Sequence, residues 1–320
     1  MSEFEGRYIL LDWNVIQYLK SPRSTKLFVD QECLNIIESM RNRMYFPFCE
    51  SHLRDLATSV SPESQRWITE DLDFLEDLSK GYALVSNRET VKISKVNPRE
   101  AFNQILQEDK TPIPVQSQIV PRSTIDMKKL DSDSPLRPFL ESTNGIMDPI
   151  LFCDWINKKV GSFFENTTEY GAFRKYMSEF KHDLPRGTES TYANQVLNGT
   201  MPFINALAIK DLDKLQGIWK DAVLNWLSMS FPVESIPYEM QIATAYTLLD
   251  IHPTFQEPFK KGKNKLTNIS RDSRLVYYAH KGEYLVSEDQ YCRDKAKFIF
   301  KAYDIKTKVV SMDDFVTKIN

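Results

Sequence analysis

The feature that most constrains this chain is the run Tyr8-Ile-Leu-Leu-Asp12, four apolar residues in a row closed by an acid. A strand with one wet face alternates apolar and polar residues. An unbroken apolar run belongs to a strand covered on both faces, as in a parallel sheet between helices. The same texture returns near the other end, in Tyr284-Leu-Val-Ser287 and Lys308-Val-Val310. Helical spacing surrounds these runs: a short helix from Asn14, helices over residues 24–44, 49–59 and 62–80, then 270–280 and one starting at Asp289. Ser61-Pro-Glu63 reads as a helix start, with a serine cap and a proline in the first turn. Tyr45-Phe-Pro-Phe48 reads as a second short strand, and Ala83-Leu-Val85 and Val91-Lys-Ile93 as two more.

The middle of the chain reads differently. Residues 98–138 carry Pro112, Pro114, Pro121, Pro135 and Pro138 and predict little regular structure. Residues 139–251 are mainly helical in pattern. The simplest organisation is a discontinuous α/β core, residues 1–88 and 236–320, interrupted by a mainly α-helical insertion over 89–235. With 320 residues, 42% apolar and 12% aromatic, the chain can bury a substantial core, which excludes wholesale disorder. Forty-one basic residues against 44 acids exclude a uniformly basic nucleic-acid coat and leave room for local patches. Cys33, Cys49, Cys153 and Cys292 form no CxxC pair, which argues against a zinc cage or a disulfide framework and for reduced thiols in the cytoplasm. Glu3 and Glu5 precede the first apolar run, unlike a signal peptide, and no apolar stretch approaches the ~18 residues of a membrane span.

Four acids sit where α/β enzymes place chemistry. Asp12 closes the first strand, and Asp289 follows the strand at 284–287. Asp272 lies in the helix leading into that strand, and Asp55 or its neighbour Glu50 lies on the helix after the second strand. Ligands of open parallel sheets collect beyond the carboxyl ends of strands. Converging carboxylates need a counter-charge, and hard oxygen ligands suit Mg²⁺ or Mn²⁺. Each acid alone also suits a structural role. Asp12 could cap a helix, Asp272 could serve a helix dipole, and a capping box of Ser287 with Gln290 would leave Asp289 as a first-turn charge. Periodicity places Asp272 on the stripe Leu275, Val276, Ala279, and Asp289 at the head of the stripe Cys292, Ala296, Ile299.

Taken in order, these segments resemble the PIN-domain ribonucleases. Ile9-Leu-Leu-Asp-Trp-Asn-Val15 is similar to the family's opening strand, and Phe46-Pro-Phe-Cys-Glu-Ser-His-Leu-Arg-Asp-Leu56 to its second strand and helix. Arg271-Asp-Ser-Arg-Leu-Val-Tyr-Tyr-Ala279 resembles the helix bearing the third acid, and Tyr284-Leu-Val-Ser-Glu-Asp-Gln290 the element bearing the fourth. Lys308-Val-Val-Ser-Met-Asp-Asp-Phe-Val316 looks like the last strand and closing helix. The match covers about 170 residues at the two ends, and the family core is about half this chain's length.

The resemblance implies a PIN-like parallel sheet flanked by helices and a metal-dependent endoribonuclease. Asp12, Asp55, Asp272 and Asp289 would be its metal-binding carboxylates, with Asn14 and Ser287 as polar supports and products bearing 5′-phosphate and 3′-hydroxyl ends. Measured against the stripe Leu53, Leu56, Ala57, Val60, periodicity favours Glu50 as the second acid, whereas the leucine spacing favours Asp55. A PIN-like module that binds RNA or protein without cutting is the alternative. A phosphatase of the haloacid dehalogenase type would want an aspartate where Asn14 stands.

Residues 256–301 hold eleven basic residues and six acids, a net of +5, whereas residues 1–80 carry a net of −5. Lys260, Lys261, Lys263 and Lys265, with Arg271, Arg274 and Arg293, would therefore meet the phosphates of single-stranded RNA. The resemblance also admits a protein inhibitor such as an antitoxin, and a homodimer, as partners. Tyr192, Phe203, Trp219, Trp226, Phe231 and Tyr238 fall in helical patterns and read as core. His52, His182, His252 and His280 show no ligand spacing.

Overall fold

The computed structural model describes residues 7–108, 123–124, 127, 137–147, 202–203, 205–228, 232–257 and 266–319. Its centre is a three-stranded parallel sheet of β1 (Ile9–Leu11), β6 (Tyr284–Val286) and β7 (Lys308–Val310), in the order β1-β6-β7. Leu10 faces Leu285, which faces Val309. The row extends past β1 through single parallel bridges, Tyr8 to Tyr45 and Phe48 to Ala83 of β2 (Tyr82–Ser86). The stretch at 45–48, read as a second short strand, thus pairs on both sides but forms no continuous strand. Pro47 has no amide to donate, so the pairing stays at single bridges. β2 turns back into β3 (Val91–Lys95) as an antiparallel hairpin. A second small hairpin joins β4 (Ser123–Thr124) to β5 (Ile146–Met147).

Side-chain alternation divides the strands between two cores. Leu10, Leu285 and Val309 point into one; Ile9, Leu11, Val286 and Val310 point into the other. The second core is closed by α1 (Trp13–Lys20), α2 (Leu27–Met40), α3 (Glu50–Ala57), α4 (Gln65–Ser79) and α5 (Pro98–Glu108), together with α11 (Met312–Ile319) at the C-terminal end. A short helix, α6 (Arg137–Ser142), follows α5 in the chain. The first core is closed by α7 (Leu212–Ser228), α8 (Tyr238–Leu249), α9 (Leu266–Ala279) and α10 (Gln290–Ala302). Both faces are covered, which is what the unbroken apolar run demands. No helix among the described residues is long and apolar enough to cross a membrane.

Three sequence expectations need correction. Residues 98–108, read as irregular, form α5. Pro98 opens the helix, where its missing amide costs nothing, Asn97 Oδ1 accepts from the amides of Arg99 and Glu100 at 2.9 and 3.2 Å, and Phe102 and Ile105 are buried. The Ser287–Gln290 capping box does not form. Asp289 itself caps α10, accepting from the Cys292 amide at 2.9 Å. The α9 helix begins at Leu266, four residues before its predicted start. Val91, Phe102, Phe203 and Trp219, from the segment read as an insertion, bury in the same two cores. Trp226 and Tyr238 pack half-buried against them, and Tyr192 and Phe231 lie outside the described residues. Cys33, Cys49 and Cys292 are free and buried.

Candidate active site

From β1 the chain moves to one side, through 45–48 to β2, while β6 lies on the other side. The carboxyl ends of β1 and β6 are therefore the point where strand order reverses, and a crevice for ligands opens at such points. Asp12 leaves β1 there, its amide donating to the Val286 carbonyl at 2.8 Å. The residue is 6% exposed, and its carboxylate accepts from the Ser287 hydroxyl at 2.6 Å.

Ser287 is fully buried and uses every polar group it has. Its amide donates to Val310, its hydroxyl oxygen accepts from the Asp289 amide at 3.1 Å, and its carbonyl accepts from Arg293 Nη1 at 2.7 Å. Glu288, next in the chain, is drawn aside by Arg23 and Lys26 at 2.8 and 3.2 Å and also accepts from the Met312 amide. The loop 287–289 is thus pinned so that Ser287 and Asp289, rather than Glu288, serve the crevice.

Leu275, Val276 and Ala279 bury α9 against the sheet and carry Asp272 in on the same stripe, as the periodicity predicts. Protein crowds its carboxyl on most sides, yet the residue keeps some contact with solvent. Burial pushes its pKa well above the ordinary value, and the charges of Asp12, Glu257, Asp289 and Asp55 push it further. Burial raises Asp12 to about 6; the Ser287 hydroxyl opposes this and the Asp289 charge adds to it. Burial likewise raises Asp55 to about 6, with Arg271 pulling down and Asp12 pushing up. The charge of Asp12 thus reaches Asp55 and Asp272, and that of Asp289 reaches Asp12 and Asp272.

Glu50 takes another direction. Arg54 and Arg274 hold it at 2.5 and 2.6 Å, and Tyr278 Oη approaches at 3.5 Å. Asp55 is the acid of α3 whose charge couples to Asp12 and Asp272, the position the leucine spacing favours. Arg271 Nε lies 2.8 Å from Asp55 Oδ1, close enough for an ion pair but not aligned as a hydrogen bond. Arg271, Arg274 and Arg293 are thus each engaged within the chain. Lys260, Lys261, Lys263 and Lys265 lie outside the described residues. Asn14 is exposed on the first turn of α1 and makes no side-chain hydrogen bond among the described residues.

Two groups here escaped the sequence reading. His52 is fully buried, its Nε2 2.8 Å from the Leu11 carbonyl and its Nδ1 3.2 Å from the Cys49 amide; the Nε2–H tautomer satisfies both. It ties the end of β1 to α3, and so Asp12 to Asp55. Burial lowers its pKa to about 4, below the usual 6.5. The unfolded chain then binds the proton more readily, so this contribution to stability is lost as pH falls from 6.5 toward 4. The stability advantage of wild type over His52→Gln, measured by urea unfolding, should shrink by about 2 kcal/mol between pH 7 and pH 5.

The second group is Lys295, wholly buried, donating to Asp250 and Glu257 at 2.8 and 2.6 Å. Its signal was its place on the buried face of α10 with Cys292 and Ala296. Tyr246, also wholly buried, has no hydrogen-bond partner for its hydroxyl among the described residues, and its pKa rises with burial and with the charges of Cys292, Asp272, Glu257 and Asp289.

Among the described residues no three carboxylate, imidazole or thiol groups stand close enough together to enclose an ion as they are placed. The donor chemistry nevertheless fits a hard divalent cation. Four oxygen donors repel one another, and Mg²⁺ keeps several of its waters, so direct contact with every acid is not required. Comparison with protein-family models, with curated proteins and with solved structures gives no match.

Proposed function

We propose that this chain is a metal-dependent endoribonuclease with a PIN-like core, cleaving single-stranded RNA at the crevice between β1 and β6. The observation that carries the reading is that Ser287, at the end of β6, joins the Asp12 carboxylate to the Asp289 amide, from positions nearly three hundred residues apart, while Asp12 is coupled to Asp55 and Asp272. Mg²⁺ or Mn²⁺, held by these four carboxylates, would polarise the phosphodiester and lower the pKa of an attacking water. The chain's own part is orientation. Ser287 fixes one oxygen of Asp12, and the Cys292 amide fixes one of Asp289. Arg293, bonded to the Ser287 carbonyl, steadies the loop between them.

The test is to supply the purified protein with Mn²⁺ and labelled single-stranded RNA, and to compare Asp12→Asn and Asp289→Asn. Cleavage is expected only with the metal and the intact acids; activity that survives both substitutions, or persists in chelator, refutes the reading. Ser287→Ala gives a finer check. It removes a hydrogen bond that favours ionised Asp12, so the acidic limb of the pH–rate profile should move up by about one unit. An unmoved limb would remove Asp12 from the titrating step.

One observation favours a second reading, a PIN-like module that binds without cutting. Asp55 faces Arg271, which already supplies a positive charge. Calorimetry with Mn²⁺ separates the two, since a binding module would show no saturable metal uptake.

A further inference from the structure

A groove of about 480 Å³ opens on the side of α9 away from the acids. Arg88, Trp226, Glu239 and Arg274 contribute to its lining with two threonines and two serines, so it combines an indole, four hydroxyls, one carboxylate and two guanidinium groups. The arrangement at Arg88 is unusual. It sits in the β2–β3 turn at φ 74°, a conformation that costs a side-chain-bearing residue energy. Three hydrogen bonds hold it there. Its amide donates to Ser86 Oγ at 2.8 Å, its carbonyl accepts from the Glu239 amide at 2.9 Å, and Asn87 Oδ1 accepts from the Thr90 amide at 2.8 Å to close the turn.

The Arg88 guanidinium has no partner among the described residues, whereas Arg274 is paired with Glu50. Glu239, the groove's acid, accepts from the Ser86 hydroxyl at 3.3 Å. A strained backbone thus presents one uncommitted cation to a groove that the Trp226 indole also lines.

We propose that this groove is a subsite for one nucleotide of the RNA chain, its phosphate at Arg88 and its base against Trp226. The inference rests on the nuclease reading and adds a place where substrate is held away from the cut. Ser270, Ser273 and Arg274 share one face of α9, while Asp272 lies nearly opposite. Groove and acids therefore lie on opposite sides of α9, at least its ~10 Å diameter apart, and an RNA strand must pass round the helix to reach both. A dinucleotide is too short to reach both, and a ten-nucleotide RNA is long enough.

Two variants test this. Arg88→Asn removes the charge and suits the turn's conformation, and Ala243→Trp fills the groove from α8. Melting curves confirm that both are folded. Binding of a fluorescein-labelled ten-nucleotide RNA is read by anisotropy in chelator, and Mn²⁺-dependent cleavage is followed separately for the ten-nucleotide RNA and for a dinucleotide. The expected result is at least tenfold weaker binding of the longer RNA in both variants and a matching rise in its KM. Dinucleotide cleavage should not change. Equal RNA binding in wild type and variants overturns the groove, even if cleavage proves the nuclease. RNA binding lost in the variants of a protein that never cuts keeps the groove and refutes the nuclease. Wild type that binds no RNA overturns the groove as well.

Discussion

Asp12→Asn should melt roughly 5 °C above wild type in metal-free buffer at pH 7.5, while cleaving RNA on the order of a thousandfold more slowly. The two effects share one cause. Asp12 ionises at about 6 in the folded protein rather than at its ordinary 3.8, because burial and the Asp289 charge oppose the anion. A carboxyl whose pKa is raised by folding binds its proton more tightly in the native state. Above pH 6 the ionised group therefore costs stability, and the cost disappears as pH falls from about 6 toward 3.8. The full shift corresponds to about 3 kcal/mol. Asparagine removes the charge and keeps an oxygen for the Ser287 hydroxyl. Scanning calorimetry in chelator at pH 7.5 and pH 4.5 checks the sign: the variant's advantage is expected at the higher pH and should shrink at the lower. An Asp12→Asn protein less stable than wild type at pH 7.5 would mean that the crevice does not strain this acid.

Lys295→Met is expected to do the opposite, destabilising the protein by about 3 to 5 kcal/mol. Lys295 is wholly buried and holds Asp250, also wholly buried, and Glu257, whose carboxyl burial already pushes upward. Removing the ammonium leaves two carboxylates in a low-dielectric interior with their main counter-charge gone. The penalty is the exposed repulsion rather than the intrinsic strength of the pair. Adding Asp250→Asn and Glu257→Gln to Lys295→Met should recover most of the loss. Urea unfolding of the single and triple variants measures both. A single variant within 1 kcal/mol of wild type would show that water or another cation replaces the lysine.

The parts of the fold most legible in sequence were those set by burial on two faces. The apolar runs at 8–11, 284–286 and 309–310 can hide only in a sheet covered above and below, and they pair side by side. The stripe Leu275, Val276, Ala279 carried Asp272 inward for the same reason. Proline counting misjudged residues 98–108, because a proline at a helix start and an Asn97 cap favour a helix there instead of breaking one. Ser287 was identified as a support of the acids, but its route was obscured by a plausible capping box. The choice of cap is tertiary: the Ser287 hydroxyl goes to Asp12, from the far end of the sequence, and Asp289 takes over α10. Periodicity favoured Glu50 over Asp55 because it sees only α3, whereas the surroundings of both acids depend on Arg274 and Arg271, contributed by another helix. The Lys295 cluster was invisible for the same reason, its three charges being scattered over 46 positions of the chain.

The central claim is that four distant acids share one crevice built for a divalent cation. Calorimetric titration of Mn²⁺ into wild type and Asp272→Asn at pH 7.5 tests it most directly. Saturable binding to wild type, weakened at least tenfold in Asp272→Asn, is the predicted result. No saturable uptake at millimolar Mn²⁺, or equal affinity in the two proteins, would contradict it.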